Sequence, residues 1–239
     1  MSKEYSAVTG RKTAVISAVT VFLLITVACI GDEFLSGKEY YYPMALLIII
    51  AVCLPFFISF EKSKPSAREL VVLAGMAAIA VASRAAFYAL PTVKPMCAIV
   101  IITAVCLGPQ TGFICGVISM FASNFIFGQG PWTPFQMIGM GTVGLVMGAV
   151  FYKRKICKNR ILLAAVGGII CFAVYGLIVD ISSVLMMTTE FSLKQILTIY
   201  ASGLGYNISH GITTAVVLLV AGQPFIEKLE RIKIKYGMF

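Results

Sequence analysis

Apolar runs follow one another along this chain, and the polar residues are confined to short stretches between them. A helix needs about 20 apolar residues to cross the hydrocarbon of a bilayer, with a range of about 17–25. On that measure the pattern predicts segments over 13–30, 43–60, 67–90, 95–107, 111–128, 134–152, 161–187 and 194–222. The expected fold class is therefore an all-α polytopic membrane protein. The 95–107 run is short for a full span. It reads as tilted, as partly re-entrant, or as joined to its neighbour across Gly108-Pro109. The polar stretch 61–68, with Pro65, separates the first two segments from the other six. Two parts are expected: an N-terminal transmembrane hairpin over 1–64 and a six-helix core with a basic tail over 65–239.

Charge gives this pattern a direction. Lys and Arg beside a membrane segment resist crossing, so short basic loops stay cytoplasmic. Four groups hold 15 of the 19 basic residues: Lys3, Arg11 and Lys12; Lys62, Lys64 and Arg68; Lys153, Arg154, Lys155, Lys158 and Arg160; Lys228, Arg231, Lys233 and Lys235. With eight crossings all four groups fall on one side, and both termini are expected in the cytoplasm. Lys38, Arg84, Lys94 and Lys194 break the rule.

Composition narrows the class further. The chain is 59% hydrophobic and 12% charged, against about 25% charged in a soluble domain. Its net charge of +9 gathers at membrane edges. Topology and anionic headgroups account for it, and no nucleic-acid partner is expected. The seven cysteines form no CxxC pair and lie mostly in apolar runs, as packing residues do. A single histidine excludes a multi-histidine metal site within the chain. The basic start followed by 13–30 is too long for a signal-peptide core and has no clear cleavage site, so it is expected to be retained. No cofactor is expected.

The off-pattern residues point to an outer site. Arg84 lies about 25 Å from the inner end of its helix, at 1.5 Å per residue. Asp180 lies at a similar height, about 28 Å from position 161. A buried charge at such depth has a partner or a function. The two are read either as a structural salt bridge or as a polar anchor for a solute entering from outside, with Lys94 beside them. The stretch Gly128-Gln129-Gly130-Pro131-Trp132-Thr133-Pro134-Phe135-Gln136 cannot be a regular helix throughout. Its Trp132 is either an interfacial anchor or a stacking face. Gln129 and Gln136 add amide hydrogen bonds suited to a large polar organic ligand. Tyr200, Asn207 and His210 share one helix face, and Asn124 shares the same interior. Arg84, Lys94, Asn124, Gln129, Trp132, Gln136, Asp180, Asn207 and His210 are thus the candidate ligand residues. On the 67–90 helix Ala74, Ala78, Ala82 and Ala86 recur every four residues. Such a strip serves internal packing or close approach by another membrane protein.

Enzyme readings fare poorly. Ser209 and His210 are adjacent in a helix and point apart. The carboxylates do not cluster as metal-dependent phosphoryl transfer requires. No P-loop is present.

The alanine strip, Phe87-Tyr88-Ala89-Leu90-Pro91 with Lys94-Pro95, the turn Leu107-Gly108-Pro109-Gln110-Thr111-Gly112 with Gly116, and the 128–136 stretch resemble the substrate-binding S component of an energy-coupling factor (ECF) vitamin transporter. The resemblance covers roughly 67–222. It implies a membrane subunit, not an enzyme, that captures a vitamin outside. It implies as partners a transmembrane T component and two cytoplasmic ATPases. The family is thought to reorient bodily in the bilayer to release its substrate, and the strip Ala74, Ala78 and Ala82 resembles its docking face. The leading pair of segments is extra to that six-helix core. The 128–136 stretch resembles S components suspected of handling corrinoids, which makes cobalamin the first expectation; a riboflavin-type ligand suits the aromatic content equally. The competing reading is a self-contained proton-coupled secondary transporter, with Asp180 or Glu190 titrating.

Overall fold

The computed structural model describes residues 65–237, except 91, 155, 156, 158 and 189–191; before 65 only 53, 54, 57, 58, 60 and 61 are described. The expected hairpin over 1–64, Lys155, Lys158 and Glu190 therefore lie outside the described residues, apart from those few positions. The chain divides into two compact units, Met1–Pro65 and Ser66–Phe239. The second is built of six helices in chain order: α1 (Ala67–Ala86), α2 (Met96–Leu107), α3 (Pro109–Phe127), α4 (Thr133–Phe151), α5 (Arg160–Met187) and α6 (Leu193–Tyr236). All but α2 are long and apolar enough to cross a membrane. Among the described residues no strand forms.

Local chemistry sets where these helices begin. Ser66 caps α1 in a reciprocal box: its hydroxyl accepts from the Glu69 N–H at 3.3 Å, and Glu69 Oε2 accepts from the Ser66 N–H at 2.8 Å. Asn159 caps α5 by accepting from Ile161 and Leu162, and Ser192 caps α6 by accepting from Gln195. Between α2 and α3 the whole connection is Gly108, at φ 107°. That conformation favours glycine, and Pro109 then opens α3 with a ring that needs no donor.

Residues of α2 are apolar all round and buried all round; each one from Met96 to Leu107 is shielded. Packed by α1, α3, α4 and α6, it meets little lipid, so its 12 residues need not match the hydrocarbon thickness. This resolves the short 95–107 segment. The α3–α4 seam is made of glycine. A Cβ at Gly112 would lie 3.1 Å from Gly144 O, one at Gly116 2.6 Å from Met140 O, and one at Gly144 2.4 Å from Gly112 O. Lipid offers no hydrophobic drive for helix association, so close backbone approach supplies the dispersion contacts instead. Gly168 and Gly211 do the same for α5 and α6, each with its Cβ position 2.9 Å from the other's carbonyl oxygen.

Two segment ends differ from the sequence expectation. The first core helix stops at Ala86 rather than 90, and a turn at 87–89 follows. The last helix continues from 222 to Tyr236. It does so through a π-helical stretch, Leu218–Gly222, directly before Pro224. The wider turn accommodates a residue with no N–H to donate. Hydropathy ends at 222, but the charged residues beyond it are good helix formers. This amphipathic end is tied down at the basic end of the core. Lys233 Nζ donates to Cys106 O at 2.8 Å, Gln223 Nε2 donates to Cys157 O at 2.8 Å, and Arg68 lies 5.6 Å from the Tyr236 ring centre.

Candidate functional site

Arg84 organises the end of the core at which α1 and α3 finish and α4 begins. It faces inward with Leu73, Met76, Ala77 and Ala80 along the packed side of α1. Its Nη1 donates to Asn124 Oδ1 at 2.8 Å and to the Ser123 hydroxyl, and approaches Met120 Sδ at 3.3 Å. Asn124 passes the network on, donating from Nδ2 to Gln136 Oε1 at 2.9 Å and to Thr133 Oγ1 at 3.2 Å. A buried cation is thus stabilised by a chain of hydrogen bonds across α1, α3 and α4. The Phe127 ring lies between two cations, with Arg84 Cζ at 4.3 Å and Lys94 Nζ at 4.7 Å from its centre. Tyr88 packs against the same ring at 5.1 Å. Lys94 Nζ donates to Phe87 O at 3.3 Å. Burial, and then the Arg84 charge, push its ammonium below the usual lysine range.

A second group faces it from α5 and α6. Asn207 Nδ2 donates to Asp180 at 2.7 Å, and a Cβ at Gly203 would press on the same carboxylate at 2.7 Å. The expected Arg84–Asp180 pair does not form, because each side chain has a nearer amide partner on its own side of the core. His210 is stacked between Tyr175 and Tyr206, with ring centres at 5.3 and 5.0 Å. It is 3% exposed, and neither ring nitrogen makes a hydrogen bond of good geometry. The Cys171 sulfur beside it is a weak partner. A Cβ at Gly139, one turn along α4 from Gln136, would lie 3.1 Å from the Tyr175 ring, so the two groups adjoin. Ser209 ties α6 to the α1–α2 connection by donating to Thr92 O at 3.2 Å.

The core thus gathers Arg84, Lys94, Asn124, Gln136, Asp180, Asn207 and His210 toward one end of its interior. Gln129 and Trp132 stand at its rim. Gln129 is exposed, donates to Phe121 O and accepts from Thr133. The Trp132 indole folds back over Gly130 and is 38% exposed. Sequence reasoning missed Ser123, Thr133, Phe127, Tyr175 and Tyr206. The signal for Ser123 lay beside Asn124, and Tyr206 stands one position before Asn207. An open depression of about 500 Å³ lies at the α5–α6 connection, between Met187, Thr188, Lys194 and Ile199. It lacks the buried charge and aromatic groups of the interior cluster, which is the better candidate site.

Residues 64–227 match the family model described as ECF-type riboflavin transporter, S component. The chain belongs to this S-component family. No curated protein and no solved structure matches it. The S component is a multi-pass transporter subunit, not an enzyme, and residues 1–63 lie outside the match. Its alanine strip points away from the core helices. Ala74, Ala78, Ala82 and Ala86 are exposed, and a Cβ added at Gly75 would meet nothing within 4 Å. Internal packing of this S component's core is therefore left to the opposite face of α1.

Proposed function

We propose that this S component captures riboflavin from outside and delivers it inward through a T component driven by two ATPases. The family match over 64–227 carries the reading. Two features of the interior support it. A flavin presents a flat ring with hydrogen-bonding edges and a hydroxylated chain. The Tyr175–His210–Tyr206 stack offers planar faces and two unsatisfied ring nitrogens, and Gln136, Asn124, Asn207 and Arg84 offer amide and guanidinium partners. A corrinoid is several times larger than a flavin, so cobalamin is the weaker proposal. The chain has no P-loop, and ATP hydrolysis falls to the partners.

Titration of the purified protein with riboflavin, followed by flavin fluorescence, is expected to give saturable quenching that cobalamin does not compete away. Trp132→Ala removes the rim indole and is expected to weaken binding by about 1–3 kcal/mol, the scale of burying a large side chain. Saturable cobalamin binding with no riboflavin response would overturn the substrate; full affinity in Trp132→Ala would remove the indole from the site.

The proposed orientation places both termini and the 153–160 loop in the cytoplasm, since Lys153, Arg154 and Arg160 share one end of the core with Lys228, Arg231 and Lys233. A single cysteine at position 153, in an otherwise cysteine-free chain, is expected to react with an impermeant maleimide only after cells are opened. Labelling in intact cells would reverse the assignment.

A further inference from the structure

A second cavity lies at the opposite end of α2 from Lys94. It has a volume of about 200 Å³, and its wall includes Cys106, Tyr152, Lys153, Arg154, Glu230 and Lys233. Three cations therefore face one carboxylate. Two of them converge on the same ring: Lys153 Nζ is 4.9 Å and Lys233 Nζ 5.0 Å from the Tyr152 centre. Lys153 is held there by a left-handed backbone at φ 59°, a conformation that no other described non-glycine residue adopts. Lys233 spends one donor on Cys106 O at 2.8 Å, and an ammonium has three. Arg154 adds a planar fork that matches two oxygens of a phosphate. Bringing three like charges around a small space is unfavourable unless an anion shares it.

We propose that this cavity binds a phosphate-type anion, either the phosphodiester of an anionic phospholipid headgroup or free phosphate. A single water occupies about 30 Å³, so the space admits a tetrahedral oxyanion with its first partners. It opens where α2 and α4 end, past the apolar stretches of both helices. Lys233 and Lys153 would supply point charges over the Tyr152 face and Arg154 the directional bonds, with the Cys106 carbonyl holding Lys233 in place. The site is independent of the vitamin reading.

The test uses the full chain in a zwitterionic detergent, with short-chain phosphatidylglycerol, short-chain phosphatidylcholine, inorganic phosphate, and sodium chloride at matched ionic strength as probes. Thermal unfolding is the readout. Wild type is expected to rise by about 3–5 °C at ten times Kd with the phosphate-bearing anions. Lys153→Gln with Arg154→Gln, both exposed side chains, is expected to lose that rise while keeping its own unliganded Tm. A rise with phosphatidylglycerol alone assigns a headgroup; a rise with inorganic phosphate assigns the free anion. No rise in either, an equal rise with sodium chloride or phosphatidylcholine, or an undiminished rise in the double variant would overturn the site.

Discussion

Gly144→Val is expected to leave almost no folded protein. A Cβ at this position would lie 2.4 Å from Gly112 O and 2.6 Å from Gly112 C. Both are backbone atoms, so no rotamer change relieves the clash. Overpacked cores lose about 1–3 kcal/mol where side chains can shift. Here α3 and α4 must part, and the close approaches at Gly116, Gly141 and Gly148 are lost with them, so the cost exceeds about 3 kcal/mol. Size-exclusion chromatography of a fluorescently tagged chain checks it, with Gly75→Val as the control, because a Cβ there meets nothing within 4 Å. A monodisperse Gly144→Val peak with the wild-type melting temperature would show that the seam is looser than the structure has it.

Ala78→Trp is expected to abolish uptake in cells that hold the T component and ATPases, while riboflavin affinity of the purified chain stays within about twofold, as for a site distant from the ligand. Ala78 is exposed on the strip, so an indole there disturbs no core contact. It would hold a docking helix several ångströms away and forfeit the dispersion contacts that a small-residue face permits. Parallel loss of binding and uptake would mean that the strip packs inside the fold.

Most of the core was legible because a bilayer makes helix the cheapest way to satisfy a backbone, and apolar runs then mark the helices. What hydropathy could not show was the end of α6. The Gln223–Tyr236 part is charged enough to fall outside any membrane window, yet Ile226 and Leu229 bury beneath it. The interior was half legible. Depth along the helices placed Arg84 and Asp180 at one height, but height alone does not set a partner. The rotation of α3 about its axis gave Asn124 to Arg84, and the approach of α6 at Gly203 gave Asn207 to Asp180. Trp132 stood out by rarity, and the structure puts it at the rim; Tyr175 sat unmarked in an apolar run and lies at the centre. Its place follows from the π-helical stretch Cys171–Tyr175, which periodicity does not register.

The length of α6 has a consequence for how the protein stands in its membrane. Its 44 residues run about 66 Å at 1.5 Å per residue, more than twice the thickness of about 30 Å of hydrocarbon. In the proposed orientation the last 14 residues would lie past the hydrocarbon as an outrigger at the membrane surface, lashed to the body through Cys106 and Arg68. Lys228, Arg231, Lys233 and Lys235 outnumber Glu227 and Glu230 on this arm by two. At about 1 kcal/mol per net charge near an anionic leaflet, that would favour the proposed posture by about 2 kcal/mol, or about thirtyfold. Under the proposed orientation and import role, any tipping that releases cargo would have to lift this arm off the surface, and the lipid charge of the host membrane would set part of that work.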